Sequence, residues 1–377
     1  VYGWNATGRN FTSKGYTATF FNMTSQTWLT SADTDRPNWE HTMIFIIPDN
    51  LNKSCTDAFI WFTWGSNGDA WKANSQNDVD IAVVSQVAMH TNCPAIAVYE
   101  IPNQPLYFYK DKKSLSEDDA VGYTFNQFLY HNAPPEWLLL FPMTKAAVRS
   151  MDAAQEIAPE HFNVTIENFI ISGASKRGWT TWLTGAVEAD GKKRVKAMVP
   201  VVLDLLGIED FLQRQYRSYM GSYSFAMQPY WTNGLTAAMG TPQLKNLTEL
   251  IDPWTFRERL TVPKLAINAV GDEFQLLDDQ RHWVHDMPGE MKTVMVKDAD
   301  HLLITNFGEV LEVANAFTQS VAKNLERPSY SWSIADDGQI SVVTSRPPKK
   351  ISVVYTTIHS PRRDFRDAIA EKKNQHC

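Results

Sequence analysis

The stretch Phe169-Ile170-Ile171-Ser172-Gly173-Ala174-Ser175-Lys176-Arg177-Gly178-Trp179 constrains this chain more than any other. An apolar run short enough for a buried strand ends at a glycine, a serine follows two residues later, and a helical segment from Trp179 to Val187 begins at once. That is the outline of a nucleophile elbow: a strained strand-to-helix turn presents a serine hydroxyl, small neighbours relieve crowding, and a helix N-terminus aims its N–H groups at a developing oxyanion. The usual spelling is Gly-x-Ser-x-Gly, and here the second glycine comes one residue late. The same residues also fit an ordinary strand-to-helix turn with a serine N-cap, so the rest of the chain has to decide.

With 377 residues, 44% of them hydrophobic, the chain can bury one large core and carry a smaller second unit. Its net charge, 35 minus 42 or −7, is spread without a long block of either sign, which leaves no electrostatic footprint for a nucleic-acid partner. No apolar run reaches the ~20 residues that a membrane-spanning helix needs. The start at Val1, without an initiator methionine, reads as a mature or trimmed product. The acceptor pattern Asn-x-Ser/Thr occurs at Asn5, Asn10, Asn22, Asn52, Asn163 and Asn246. Chance produces such triplets in polar sequence, but their clustering at the N-terminus points to a secreted glycoprotein. Cys55 stands just ahead of the apolar run Ala58 to Trp64, and Cys93 just ahead of Ala95 to Ile101. If these runs are parallel neighbours in one sheet, the two thiols fall at the same end within reach of a disulfide; otherwise they are two buried thiols. Cys377 is then either free or separated from its partner.

Taken in order, Tyr16 to Trp28, Thr42 to Pro48 and Phe59 to Trp64 read as strands, the last running into a glycine-bearing loop, Gly65 to Asp69. A helix over Asp78 to Thr91 and a strand over Pro94 to Ile101 follow, and the order strand, helix, strand signals a parallel sheet. Residues 103–137 read as irregular. A helix from Met143 to Ala158 leads into the elbow strand, and Val195 to Val202, Lys264 to Val270 and Lys292 to Val296 complete the sheet. A helix is expected over Asp278 to His285 and another over Phe307 to Lys323. Residues 205–260, dense in Tyr, Trp, Met and Gln, form an excursion between sheet strands that is either a cap over a site or a merely structural helical insertion. Beyond residue 326 the texture changes to short strands, Ser329 to Ile334, Gln339 to Thr344 and Ile351 to Ile358. The expected division is therefore a main unit over 1–326 and a β-rich extension over 327–377.

Acyl transfer by serine requires a base for the hydroxyl proton and an acid that orients the base. On an open parallel sheet these groups project from the carboxyl ends of strands. Asp272 follows one such strand and His301 the next, and with Ser175 they give the chain order Ser, Asp, His of the α/β-hydrolase fold, a mostly parallel sheet flanked by helices. Each residue has a plainer reading, as an N-cap, a turn residue and a surface histidine, and Glu273 is an adjacent carboxylate able to replace Asp272. The oxyanion hole would take the N–H of Lys176 and another from the loop at Gly65 and Ser66. The side chains of Lys176 and Arg177 would stabilise the oxyanion, bind an acidic substrate group, turn to solvent, or pair with Asp204 and Glu209. Tyr223, Tyr230 and Trp231 in the insertion are candidates for an aromatic substrate wall. Trp179 and Trp182 fit packing of the elbow helix on the sheet. His282 and His285, among Asp278, Asp279 and Asp286, have helical spacing for a metal but lack a glutamate base, so a solvated helix is the reading and no metal or other cofactor is expected.

Several motifs together resemble one family: Ser25-Gln26-Thr27-Trp28, Trp39-x-His41, Trp64-Gly65-Ser66-Asn67-Gly68, Asn103-Gln104-Pro105-Leu106, Phe141-Pro142-Met143-Thr144-Lys145-Ala146-Ala147, the elbow itself, Gly271-Asp272-Glu273-Phe274 and Arg362-Arg363-Asp364-Phe365-Arg366. From about residue 16 to about residue 367 the chain resembles the PhoPQ-activated pathogenicity-related protein and autocrine proliferation repressor family. The resemblance implies an α/β-hydrolase-like core with Ser175, Asp272 and His301 in the triad positions, and a β-rich extension that is cut short. It also implies that the late glycine is the family's own spelling. The elbow is similar to that of glucuronoyl esterases, in which a basic residue close after the serine helps hold the oxyanion, and this gives the Lys176 side chain added weight. The family name supplies no substrate. The expectation is a secreted, cofactor-independent serine hydrolase cleaving an ester or amide of a small molecule or peptide. Were the substrate an amine-bearing peptide, Glu209, Asp210 and Glu273 would be the carboxylates to meet it. The alternative is a signalling protein that uses the scaffold to bind a cell-surface receptor.

Overall fold

The computed structural model describes residues 1–67, 78–355 and 357–366. Its strands are β1 (Gly3–Ser13), β2 (Tyr16–Thr27), β3 (Asn38–Pro48), β4 (Asp57–Phe62), β5 (Ala95–Val98), β6 (Leu106–Phe108), β7 (Lys113–Leu115), β8 (Asn168–Ala174), β9 (Val195–Val201), β10 (Lys264–Ala269), β11 (Met291–Val296), β12 (Tyr330–Ile334) and β13 (Ile340–Thr344). Its helices are α1 (Val79–Thr91), α2 (Glu117–His131), α3 (Leu140–Phe162), α4 (Lys176–Asp190), α5 (Ile208–Ser218), α6 (Gln228–Thr232), α7 (Pro242–Ile251) and α8 (Phe307–Ala322).

One large sheet runs in the order β1-β2-β3-β5-β4-β8-β9-β10-β11. From β5 onward its neighbours are parallel, while β1, β2 and β3 pair antiparallel at the other edge. The period of two along each strand supplies both faces. On β8, Phe169 and Ile171 join the core that includes α3 and α4, whereas Ile170 joins the opposite core with α1 and α8. Such doubly covered strands need apolar residues at every position, which is why β8 reads as a continuous hydrophobic run. Parallel β4 and β5 bring Cys55 and Cys93 to the same end of the sheet, where they form a disulfide with a Cα separation of 5.7 Å.

Four expectations are corrected. Residues 103–137 are not irregular throughout, since α2 lies among them. Its start is marked by Glu117, Asp118 and Asp119, acids suited to the positive end of the helix dipole. Between Asp278 and His285 there are only two short 3-10 turns, Asp279–His282 and Val284–Asp286, in place of an α-helix. Arg281 donates to His282, and the His285 ring lies 4.9 Å from Trp332, so the two histidines serve different neighbours. Residues 351–355 form no strand beside β12 and β13. Finally, β1 begins the sheet ahead of the first strand read from the sequence: it is polar and largely exposed, as an edge strand can be. Gly68, Asp69 and Cys377 lie outside the described residues.

Candidate active site

Ser175 stands between β8 and α4 with φ 58° and ψ −127°, a backbone conformation that a side chain rarely tolerates and that sharp strand-to-helix turns impose. Its N–H donates to the Val201 carbonyl at 2.9 Å, and its own carbonyl accepts from Trp179 at 3.0 Å, so both sides of the turn are pinned. The glycines around it answer to close approach. A Cβ on Gly173 would lie 2.7 Å from the Arg177 carbonyl oxygen, and one on Gly178 would lie 2.9 Å from the Val201 oxygen and 3.0 Å from Leu203 Cβ. The second glycine is therefore wanted at 178, where α4 crosses the end of β9.

The carboxyl ends of β10 and β11 bring the other two residues to the elbow. Asp272 Oδ1 accepts the N–H groups of Phe274 at 2.8 Å and Gln275 at 3.2 Å, which fixes the carboxylate. Its Oδ2 lies 2.8 Å from His301 Nδ1, and His301 Nε2 lies 2.9 Å from Ser175 Oγ. An ionised carboxylate only accepts, so Nδ1 carries the proton and Nε2 is free to accept from the serine hydroxyl. His301 and Asp272 are both buried. Burial alone pushes the imidazole toward neutrality; the Asp272 carboxylate, aided by Glu273, outweighs it and raises the His301 pKa, while Lys176 opposes. Glu273 does not replace Asp272 beside the ring: its carboxylate accepts the His301 backbone N–H at 3.1 Å.

Lys176 and Arg177 neither turn to solvent nor pair with Asp204 and Glu209. Both are buried and reach α2 instead. Lys176 Nζ lies 2.6 Å from Glu117 and 3.1 Å from Asp118. Arg177 places Nη1 and Nη2 each 2.6 Å from Glu117 and gives its Nε to the Ile101 carbonyl. Burial works against the Glu117 charge, but Arg177 and Lys176 outweigh it and hold the carboxyl well below the usual carboxylate range. Asp204 instead accepts from Trp283, and Glu209 from the Gly240 N–H.

A small cavity open to solvent is lined by Ser175, Lys176 and His301 at the elbow and by Ile208, Phe211 and Leu212 of α5. Of the expected aromatic wall only Tyr230 lines it, with its hydroxyl donating to Asp118 at 2.7 Å. Tyr223 instead packs on Tyr216 with its hydroxyl toward Met239, and Trp231 points outward, 44% exposed. The apolar lining comes largely from Leu203, Leu205, Ile208, Phe211, Leu212 and Phe274. Of the amine-binding candidates Glu209, Asp210 and Glu273, none lines it; Asp118, which the sequence did not single out, does. The register of β4 on β8 sets Phe62 beside Gly173, so the loop bearing Gly65 and Ser66 starts alongside the elbow. Gly65 packs over Tyr99 and Glu100, and neither Gly65 nor Ser66 lines the cavity. Trp179 is buried and lines the cavity, and Trp182 packs edge-on against Trp283.

The sequence profile of the PhoPQ-activated pathogenicity-related protein family matches residues 2–366. The chain belongs to this family. The match starts before residue 16 and takes in β1. Autocrine proliferation repressor protein A of Dictyostelium discoideum is 34% identical over 362 residues, which cover 93% of this chain and 71% of that protein. Among solved structures, acetyl xylan esterase 1 from Thermoanaerobacterium sp. superposes with a TM-score of 0.54 at 13% identity, covering 85% of this chain and 87% of the esterase. An S-formylglutathione hydrolase from Agrobacterium tumefaciens gives 0.50 at 12% identity, covering 85% and 99%. At such identities the likeness establishes the α/β-hydrolase fold and leaves the activity to the site.

Proposed function

We propose that this family member is a serine hydrolase that cleaves an ester or amide bond by way of an acyl-enzyme. The observation that carries the reading is the unbroken hydrogen-bond chain from Ser175 Oγ through His301 to Asp272, mounted on a strained elbow. Ser175 attacks the carbonyl as His301 Nε2 takes its proton. Asp272 holds the ring in the Nδ1–H tautomer and stabilises the imidazolium, and His301 then protonates the leaving group. The Lys176 N–H, in the first turn of α4 where no helical acceptor exists, faces the oxyanion. A second donor is assigned to the Gly65–Ser66 loop, in keeping with its start beside β8. The Lys176 side chain is engaged by Glu117 and Asp118, so its contribution is as a fixed positive charge behind the elbow.

A fluorophosphonate probe tests the reading: it labels wild type and not Ser175→Ala, and absence of labelling in a folded wild-type protein sinks it. Secretion is part of the proposal and is supported by the Cys55–Cys93 disulfide and by exposure of all six sequon asparagines, from Asn5 to Asn246. A second reading, a secreted ligand acting through a cell-surface receptor, is favoured by the name of the Dictyostelium relative. Full biological activity of the Ser175→Ala protein would select it over the first.

A further inference from the structure

The cavity beside Ser175 has walls of two kinds. Its charged corner is closed on itself: Asp118 receives Tyr230 at one oxygen and Lys176 at the other, and Lys176 is shared with Glu117. Trp179 Nε1 is likewise spent on the Ile251 carbonyl, and Gln275 Nε2 on that of Val202. Gln275 Oε1 keeps spare capacity but is buried from solvent. A ligand entering this space therefore finds few polar groups to bond besides the reacting ones. What it meets is Leu203, Leu205, Ile208, Phe211, Leu212 and Phe274. Of these, Phe211 and Leu212 are wholly buried while Leu205 and Phe274 are half-buried, which makes α5 the closed end and puts Leu205 and Phe274 at the lip. A polar corner whose groups are mostly engaged, next to an apolar wall, disfavours a polar group, which would lose much of its water there without replacement.

The geometry points to a substrate whose acyl group is apolar and enters this slot. The inference rests on the hydrolase reading for its chemistry: the cavity starts at the atom that becomes bonded to the acyl carbon, so the substituent of that carbon meets the slot first. Ser175 Oγ then forms the ester bond as the leaving alcohol departs with the proton from His301, and water, deprotonated by His301, releases the apolar acid.

The test uses the intact protein and the p-nitrophenyl esters of acetate, butyrate and hexanoate, with a parallel binding series on Ser175→Ala read by titration calorimetry. Each buried methylene contributes about 0.8 kcal/mol, so the two that separate butyrate from acetate give roughly fifteenfold in kcat/KM for wild type and the same ordering of Kd for Ser175→Ala. Leu205→Asn, at the lip, flattens both series. Chain-length dependence in binding without turnover by wild type keeps the slot and removes the hydrolase reading. Turnover with flat rates and flat binding removes the slot and keeps the hydrolase. Flat binding without turnover overturns the inference too.

Discussion

Replacing Glu117 by glutamine probes the unusual part of this elbow. Two cations follow Ser175, each only 5% exposed, and Glu117 is the carboxylate they share. Glutamine keeps the shape, removes the charge, and turns an NH2 toward groups that also donate. Lys176 retains Asp118 and Arg177 retains the Ile101 carbonyl, so neither cation is stripped. Breaking a buried pair by removal of one partner costs about 3–5 kcal/mol. Solvent still reaches 34% of the Glu117 side chain, which brings the expected loss to about 2–3 kcal/mol. Urea unfolding of Glu117→Gln should show a lower midpoint at unchanged slope. The sign of the pH dependence follows from the depressed carboxyl pKa: its stabilisation is present above about pH 4.3, the unfolded value, and is lost as pH falls. The gap between wild type and variant therefore narrows in acid. A cycle with Lys176→Met should return an interaction energy of about 1 kcal/mol or more. A loss below about 0.5 kcal/mol at neutral pH, with no narrowing in acid, would refute the claim that Glu117 holds the elbow's cations.

The raised His301 pKa places the acid limb of kcat/KM above about pH 6.5, with activity rising as the ring loses its proton. Asp272→Asn should move that limb down and cut kcat by about 10⁴, and a limb that stays in place would remove Asp272 from the mechanism. Gly178→Ala should cost about 1–2 kcal/mol in thermal unfolding, because overpacking against the Val201 carbonyl exceeds the helix propensity gained; Arg177→Gly added to it should fail to rescue, though it restores the usual spelling. Asp252, buried where Gly207, Ile208 and Trp254 donate to it, is pushed up to about 6, first of all by burial. Such a raised carboxyl contributes stability below about pH 4 that is lost as pH rises to about 6, a change of about 3 kcal/mol that Asp252→Asn should lack in urea titrations across this range.

The residues of the site were legible in the sequence to the extent that strands announced them. β8 is an apolar run with an abrupt end and β10 and β11 are mixed but mostly apolar; Ser175 and Asp272 stand just past the ends of β8 and β10, and His301 in the loop after β11. Cys55 and Cys93 were readable on the same basis, since each precedes a run of parallel sheet. What lay off the strands was not. Glu117 and Asp118 sit 59 and 58 positions before Lys176, and no local pattern connects them. In the cap, aromatic identity was a poor guide to position: Tyr230 has a buried partner in Asp118, whereas Trp231, the next residue on α6, turns to solvent. Apolar Ile208, Phe211 and Leu212, spaced by three and four on α5, mark the helix face that meets the cavity.

The late glycine and the paired cations are connected. At Gly173 the helix backbone comes so close that the first turn of α4 has no slack, and Gly178 gives the contact with β9 that the turn requires. Residue 177 is thereby released from being small, and its side chain leaves the elbow on the side of α2. An arginine there is buried and needs a carboxylate, which Glu117 provides; Lys176, beside Ser175, draws on the same carboxylate and on Asp118. Asp118 in turn receives Tyr230 from α6. A chain of ion pairs and one hydrogen bond thus runs from α4 through α2 to α6, and it ends in the cavity wall. Substitutions that disturb Tyr230 act on the elbow through Asp118 and Lys176, so the composition of the 205–260 insertion and the geometry at Ser175 are constrained together.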